Sequence, residues 1–272
     1  GFTSMTNFVD RWGHETFIYF MTNQSSAEVS SCLNAFHSSV VHRLKDGKIG
    51  RWAVDNGMSF HGDEVTSLCE ALVERRGFQV PYESDTHAVA ERNWGVLERM
   101  MRSDLAQAAA PACLWPWTAA QSNRLLYYLP TNALDPPSSP RDFTTNNSAP
   151  ADVSWARTMF CDVTVSVPDR DVDGKLGMRG SDGCHLGYDA RRRAHFVFVP
   201  SLRRLGSFTV TEWREHSFTI CKLVTADTPV EYHESSDLPM PAATASQLPR
   251  RHRVGRDTPV AATAAPGAVL IL

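Results

Sequence analysis

The chain has 272 residues, of which 42% are hydrophobic and 21% are charged, and its formal net charge is −3. This composition is typical of a globular protein and argues against a collagenous, coiled-coil or wholly disordered chain. No apolar run approaches the roughly eighteen residues of a membrane span, so we expect no membrane insertion. The six cysteines form no CxxC pair, which favours a reducing, intracellular compartment over a disulfide scaffold or a zinc knuckle.

The first half of the chain begins with strand-like and helix-like segments in alternation. SMTNFVD and ETFIYFM are separated by the polar turn RWGH and predict a β-hairpin. Ser25 and Glu28 fit a capping box that opens a helix. KIGRWAVDNG predicts a short strand, and GDEVTSLCEALVERR predicts a second helix that ends at Gly77.

Three more segments complete this region. FQVPY predicts a further strand, while HAVAERNWGVLERMMRSDLAQAAA and TAAQSNRLLYYL predict two helices, the last of which ends at Pro130. A mixed sheet with helices on its faces is the α/β arrangement that these elements favour. We therefore expect one α/β domain over residues 1–130.

The rest of the chain changes character twice. Residues 131–156 are rich in Pro, Ser and Asn and predict a linker. Residues 157–222 contain the short strand-like runs MFCDVTVSV, GCHLGYD, HFVFVP and SFTVTEW, which predict a small β-barrel-like module. Residues 223–272 show no periodicity, and we expect a disordered tail there.

Two carboxylates lie at positions that suit a metal site. Asp55 closes the predicted strand in VDNGMSF, and Glu91 lies near the start of a predicted helix, with 35 residues between them. Carboxylates at a strand end and on a neighbouring helix can converge on a divalent metal that serves phosphoryl transfer. A plain Asp-Asn-Gly turn and a first-turn glutamate favoured by the helix dipole also explain these residues.

Several motifs in order resemble one family. VDNGMSF followed by VPYESDTHAVAERNWGVLERMMRS resembles the core of a copia-type retroelement integrase. NFVDRWGHETFIYFM resembles the hairpin of that family, and YYLPTNALDPPSSP resembles the stretch after its last core helix. GCHLGYDARRRAHFVFVPSLRRL resembles a strand pair of its SH3-like module. The match covers roughly residues 1–220, and the agreement in order makes it more specific than any single motif.

The resemblance implies an RNase H-like fold followed by a small all-β SH3-like module. It implies a metal site for Mg²⁺ or Mn²⁺ in which Asp55 is the second acid and Glu91 the third. The first acid of the family lies on a strand before the hairpin, so we expect an N-terminally truncated core. Asp10 matches a hairpin-end residue of the family, which favours a structural role in the turn.

The implied partner is DNA, with self-association as a second expectation and the nucleus as the place of action. Arg92, Arg99 and Arg102 follow Glu91 on one helix and face either a phosphate backbone or solvent. Five arginines bracket one predicted hairpin and form either a phosphate-binding patch or a solvated surface, namely Arg191, Arg192, Arg193, Arg203 and Arg204. Two functions remain open: DNA integration by metal-dependent phosphoryl transfer, or a non-catalytic nucleic-acid-binding or structural remnant of such an element.

Overall fold

The computed structural model describes residues 2–43, 49, 51–54, 58–72, 75–78, 88–145, 152–167, 172, 177–225 and 267–271. The described residues within 1–96, 129–148 and 239–272 form one compact unit, and those within 97–128 and 149–238 form a second. The domain bounds expected from the sequence stay a prediction. In the described part of the chain, no helix is long and apolar enough to cross a membrane.

Strands and helices are mixed in the first half of the chain, and strands predominate after residue 160. In chain order they are β1 (Ser4–Asp10), β2 (Thr16–Met21), α1 (Ser26–Val40), β3 (Arg51–Val54), α2 (Asp63–Ala71), β4 (Arg75–Phe78), α3 (Ala88–Ala108), α4 (Trp115–Tyr128), α5 (Pro140–Thr145), β5 (Asp162–Ser166), β6 (Gly180–Asp189), β7 (Ala194–Val199), β8 (Arg204–Phe208), β9 (Val210–Arg214) and β10 (Gly267–Ile271). The chain is therefore a mixed α/β protein.

The first unit is built on a five-stranded mixed sheet with the order β2-β1-β10-β3-β4. Strands β1 and β2 form the predicted antiparallel hairpin, and β3 runs parallel to β4. Strand β10 lies between them, parallel to β1 and antiparallel to β3. The central position of this sheet is thus filled by residues 267–271.

Helix α1 covers one face of this sheet, as its sequence predicts. The hydroxyl of Ser25 accepts a hydrogen bond from the backbone N–H of Glu28 at 3.3 Å, which confirms the N-cap. The carboxylate of Glu28 in turn accepts from the N–H groups of Thr22 and Asn23. The apolar residues at helical spacing are all buried in one core cluster with Phe8 and Trp52, and they are Val29, Leu33, Phe36 and Val40.

The structure differs from the sequence-based expectation around Gly77. Helix α2 ends at Ala71, and Gly77 lies inside β4 rather than at a helix end. Residues 75–78 pair with β3 along four residues, because strand pairing within a sheet outweighs the helix propensity of this stretch. Of the predicted strand FQVPY, Phe78 lies in β4, and residues 79–82 lie outside the described residues.

The C-terminal segment also differs from its prediction. The composition of residues 223–272 predicts disorder, yet Gly267–Ile271 form β10 and pair on both sides. The apolar run GAVLI suits the middle of a sheet, where both backbone edges find partners. Residues 226–266 lie outside the described residues.

The second unit contains an antiparallel sheet with the order β8-β7-β6-β5-β9. Its two edge strands, β8 and β9, are separated in the chain by Thr209 alone, so the sheet curls until its edges nearly meet. The predicted run SFTVTEW is therefore two strands. The core of this sheet contains mainly β-branched and aromatic residues, namely Cys161, Val163, Val165, Val197, Val199 and Phe208. All six cysteines are free thiols.

Candidate functional site

The start of α3 packs directly on the first sheet. Ala90 is fully buried and forms one cluster with Ala53 of β3 and Val9 of β1. Small side chains at this contact allow the helix backbone to approach the sheet closely. Glu91 follows Ala90 on the exposed side of the helix, so its carboxylate is accessible beside the sheet.

Of the two predicted acidic residues, Glu91 is described by the structure, whereas Asp55 follows the last described residue of β3. Glu91 lies in the first turn of α3, where the helix dipole favours a negative charge. Asp55 comes directly after Val54, the last residue of β3, but it lies outside the described residues. Asp55 is therefore the next residue after the strand on which the start of α3 packs.

A metal site needs at least two such groups within reach of one ion. Carboxylate oxygens are the ligands that Mg²⁺ and Mn²⁺ prefer. Among the residues that the structure describes, no three His, Cys, Asp or Glu side chains come together. Joint metal binding by Asp55 and Glu91 stays a prediction, in which their carboxylate carbons lie within about 8 Å of each other.

Asp10 has the structural role that its sequence context predicts. Its carboxylate accepts hydrogen bonds from the N–H of Trp12 at 3.1 Å and from the N–H of Gly13 at 2.7 Å. This geometry is that of an aspartate that closes a turn on its own backbone. Asp10 is therefore committed to the turn between β1 and β2.

The turn between β1 and β2 lies near the start of α3. The side-chain amide of Asn93 donates to the hydroxyl of Thr16 at 2.9 Å. Burial lowers the pKa of His14, with Asp10 acting in the opposite direction and the nearby charge of Arg92 lowering it further. The hairpin turn and the first turns of α3 thus form one surface, which contains Glu91.

The arginines on α3 are exposed, but one of them is paired. Arg92 and Arg99 are both exposed. Arg102 donates to Glu98 at 2.6 Å, one helical turn earlier, and 76% of its side chain is accessible. An exposed pair of this kind contributes less than about 1 kcal/mol. A contact of Arg92 or Arg99 with DNA stays a prediction.

Three adjacent arginines of the second unit lie in the turn between β6 and β7. Arg191, Arg192 and Arg193 are all exposed. The carboxylate of Asp189 holds the turn, because it accepts the N–H groups of Arg191 and Arg192 at 3.1 and 3.2 Å. It also accepts the hydroxyl of Ser207 from β8. The three adjacent guanidinium groups are thus carried by a braced turn, and phosphate binding by them stays a prediction.

Two histidines of the second unit are in contact, one buried and one partly exposed, although nothing in the sequence pattern singles them out. The ring of His185 is fully buried, with Nδ1 3.0 Å from the carbonyl oxygen of Thr158 and Nε2 3.2 Å from Nδ1 of His195. Burial lowers the pKa of both histidines to about 4, and the charge of Arg157 acts in the same direction. The alternation of a short strand does not reveal that two imidazoles meet across β6 and β7.

These histidines predict that acid destabilises the second unit. An unfolded histidine takes up a proton below about pH 6.5, whereas the folded pair does so near pH 4, so stability is full above pH 6.5 and falls as the pH drops towards 4. For His185 the expected loss is about 3 kcal/mol. Urea unfolding at several pH values measures this loss of stability. Hydrogen exchange of the β6 amides at the same pH values assigns it to the second unit.

Variants separate this pair from the rest of the chain. His185→Gln and His195→Gln should each flatten the pH dependence, since each removes a group that titrates differently in the folded and unfolded states. His42 is exposed, and His42→Gln should keep the full dependence. If the β6 amides are equally stable at neutral and acidic pH in the wild-type chain, the buried pair does not control this unit.

Solved structures that are similar to this chain include one intasome and two integrase catalytic core domains. No protein-family model matches the chain, and no curated protein matches it. A chain of the simian T-cell lymphotropic virus intasome, solved in complex with the PP2A regulatory subunit B56γ, is 13% identical with a TM-score of 0.42, over 78% of this chain and 71% of that chain.

The other two structures are isolated catalytic cores. The HTLV-2 integrase catalytic core domain, in complex with magnesium, is 15% identical with a TM-score of 0.36, over 48% of this chain and 77% of that chain. The catalytic core domain of BIV integrase is 13% identical with a TM-score of 0.37, over 54% of this chain and 95% of that chain.

Proposed function

We propose that this chain is the DNA-integration core of a copia-type retrotransposon polyprotein, followed by an SH3-like module. The observation that carries the proposal is the packing of Ala90 on Ala53 and Val9. It brings the helix turn that carries Glu91 onto the strand that leads into Asp55. The sequence motifs of the copia-type integrases occur around both residues, in the family's order.

In this function the chain's own residues bind and orient DNA ends. Asp55 and Glu91 hold the divalent ions, and the exposed start of α3 leaves Glu91 open to a DNA strand. Mg²⁺ or Mn²⁺, when bound, activates a water or a DNA 3′-hydroxyl and stabilises the leaving oxygen. Arg92 and Arg99, one and eight residues after Glu91 on the exposed helix, contact the phosphate backbone and position the strand.

The third carboxylate of such a site has to reach Asp55 from a neighbouring strand. The neighbours of β3 in the sheet are β10 and β4, and their sequences, GAVLI and RRGF, contain no acid. The resemblance implies a strand before β1 that carries this acid. Such a strand would take the position of β10 beside β3, so we expect the present chain alone to be inactive.

The test compares two lengths of the protein. The present chain and a chain extended upstream by its natural coding sequence are each incubated with labelled duplex DNA ends, a target plasmid and Mn²⁺ or Mg²⁺. We expect end joining by the extended chain and none by the present one, because three carboxylates are needed to hold two ions. Joining by the present chain would show that its acids already suffice.

The second candidate is a non-catalytic nucleic-acid-binding module. It is favoured by the exposed arginines 191–193 on the turn that Asp189 braces. This function would hold if the extended chain folds, binds DNA with a steep salt dependence and joins no ends in either metal. For either function we propose an intracellular protein that is nuclear when it acts on DNA.

A further inference from the structure

The turn between β1 and β2 presents a tryptophan on a rigid support. Trp12 is 69% exposed, although its ring rests on Phe143 of α5 with a centroid distance of 4.5 Å and an interplanar angle of 59°. A large exposed aromatic ring in a polar turn is unusual, because tryptophan is among the most deeply buried residues on average. This ring therefore contacts Phe143 and still exposes most of its surface.

Two further contacts hold the turn in place. Asp10 accepts the backbone N–H groups of Trp12 and Gly13. A Cβ at Gly13 would lie 2.6 Å from Cγ2 of Thr144 and 2.8 Å from the Asp10 carboxylate, so only glycine allows the turn to approach α5 this closely. The backbone of Trp12 and Gly13 is therefore constrained in the absence of a ligand.

The surroundings of Trp12 favour an anionic ligand with a flat face. Arg11 and Arg92 are exposed, and neither forms an ion pair within the part of the chain that the structure describes. Asn93, the residue after Arg92, donates to Thr16 at the start of β2 at 2.9 Å, which holds this part of α3 against the hairpin that carries Trp12. An open aromatic ring beside unpaired cations is the combination that binds single-stranded nucleic acid, with the base on the ring and the phosphates on the cations.

We propose that Trp12 stacks on an unpaired base of a DNA strand whose phosphates are bound by Arg11 and Arg92. The inference rests on the proposed function, since it assigns a substrate contact next to Glu91. It specifies an unpaired base because the faces of bases inside a duplex are already stacked on their neighbours. A frayed or single-stranded DNA end offers the open face that this ring needs.

The test measures binding without catalysis. A short fluorescein-labelled oligothymidylate is titrated with the present chain in EDTA, and anisotropy gives the affinity at several salt concentrations. Trp12→Ala should weaken binding about 10-fold at every salt concentration, with the slope of log K against log salt unchanged, because the ring releases no counterion. Arg11→Gln should flatten that slope by about 0.7.

Matched variants show whether the ring itself matters. Trp12→Phe keeps an aromatic face and should retain most of the affinity. Met178 is 84% exposed and lies in the second unit, and Met178→Ala should bind as the wild type does. For the same sequence as duplex DNA, Trp12→Ala should change the binding affinity of the protein very little. Wild-type binding by Trp12→Ala, or an equal loss on duplex and single strand, would overturn the inference.

The outcome also separates this inference from the proposed function. If Trp12→Ala weakens single-strand binding but the extended chain joins no DNA ends, the stacking contact stands and the integration function falls. If the extended chain joins ends and Trp12→Ala binds DNA normally, the stacking contact alone is wrong. If Trp12→Ala leaves DNA binding unchanged but converts a dimer to a monomer in sedimentation, the ring belongs to a contact between copies.

Discussion

Glu91→Gln in the chain extended upstream is expected to lower the rate of DNA end joining about 1000-fold. The substitution keeps the shape of the side chain and removes the charge that holds a divalent ion, and several kcal/mol of transition-state stabilisation depend on that ion. Because Glu91 is exposed, folding should be unaffected. A gel assay of joined product with Mn²⁺, together with a thermal unfolding curve, measures both effects.

The matched control for Glu91 lies on the same helix. Glu98 is paired with Arg102 on the surface, and Glu98→Gln removes a carboxylate of the same kind away from the start of α3. It should join DNA ends at close to the wild-type rate. Asp55→Asn should behave like Glu91→Gln. If Glu91→Gln retains full activity while Asp55→Asn loses it, Glu91 is a first-turn glutamate and not a metal ligand.

The local elements of the first unit could be predicted from the sequence because their signals are local. The hydroxyl of Ser25 caps α1 as expected, and the alternation around RWGH gives the hairpin. The other half of the capping box differs, because the N–H of Ser25 donates to Asn23 and not to Glu28. Gly77 shows where local signals fail. It looks like a helix end after a run of helix formers, but residues 75–78 pair with β3, and a partner distant in sequence decides their structure.

The candidate site was predictable only in part, for a similar reason. The position of Asp55 at a strand end and of Glu91 at a helix start suggests two acids that converge. The packing of Ala90 on Ala53 supports it. The ring contact between Trp12 and Phe143 could not be predicted, because it joins residues that are far apart in sequence. The position of the tryptophan in the polar turn RWGH was the available signal, since such a residue has no core to enter there.

The sheet position of β10 bears on both the fold and the activity of the first unit. A strand in the middle of a sheet satisfies backbone groups on two neighbours, so removing it exposes both. Residues Val269–Ile271 are paired with β1 and β3 at once. An acid-bearing strand next to β3 and the apolar strand β10 would compete for one position, since β4 already occupies the other side of β3.

Leu270→Pro is therefore expected to destabilise the first unit of the present chain by about 3 kcal/mol or more, because proline removes a ladder hydrogen bond and cannot sit in a central strand. That loss is a large part of the stability of a typical domain. Hydrogen exchange should show lost protection in β1 and β3 and unchanged protection in β6. Ala262→Pro lies before β10 in the chain and should leave exchange as in the wild type.

In the chain extended upstream, the same substitution should have little effect, because the added strand fills the position beside β3 and β10 is no longer needed there. Equal protection of β1 and β3 in Leu270→Pro and Ala262→Pro variants of the present chain would mean that residues 267–271 do not pair in solution, in line with the disorder predicted for residues 223–272. Equal destabilisation of both chain lengths by Leu270→Pro would mean that β10 is a permanent strand of the sheet. The acid-bearing strand would then have no place next to Asp55, and the integration function would lose its third ligand.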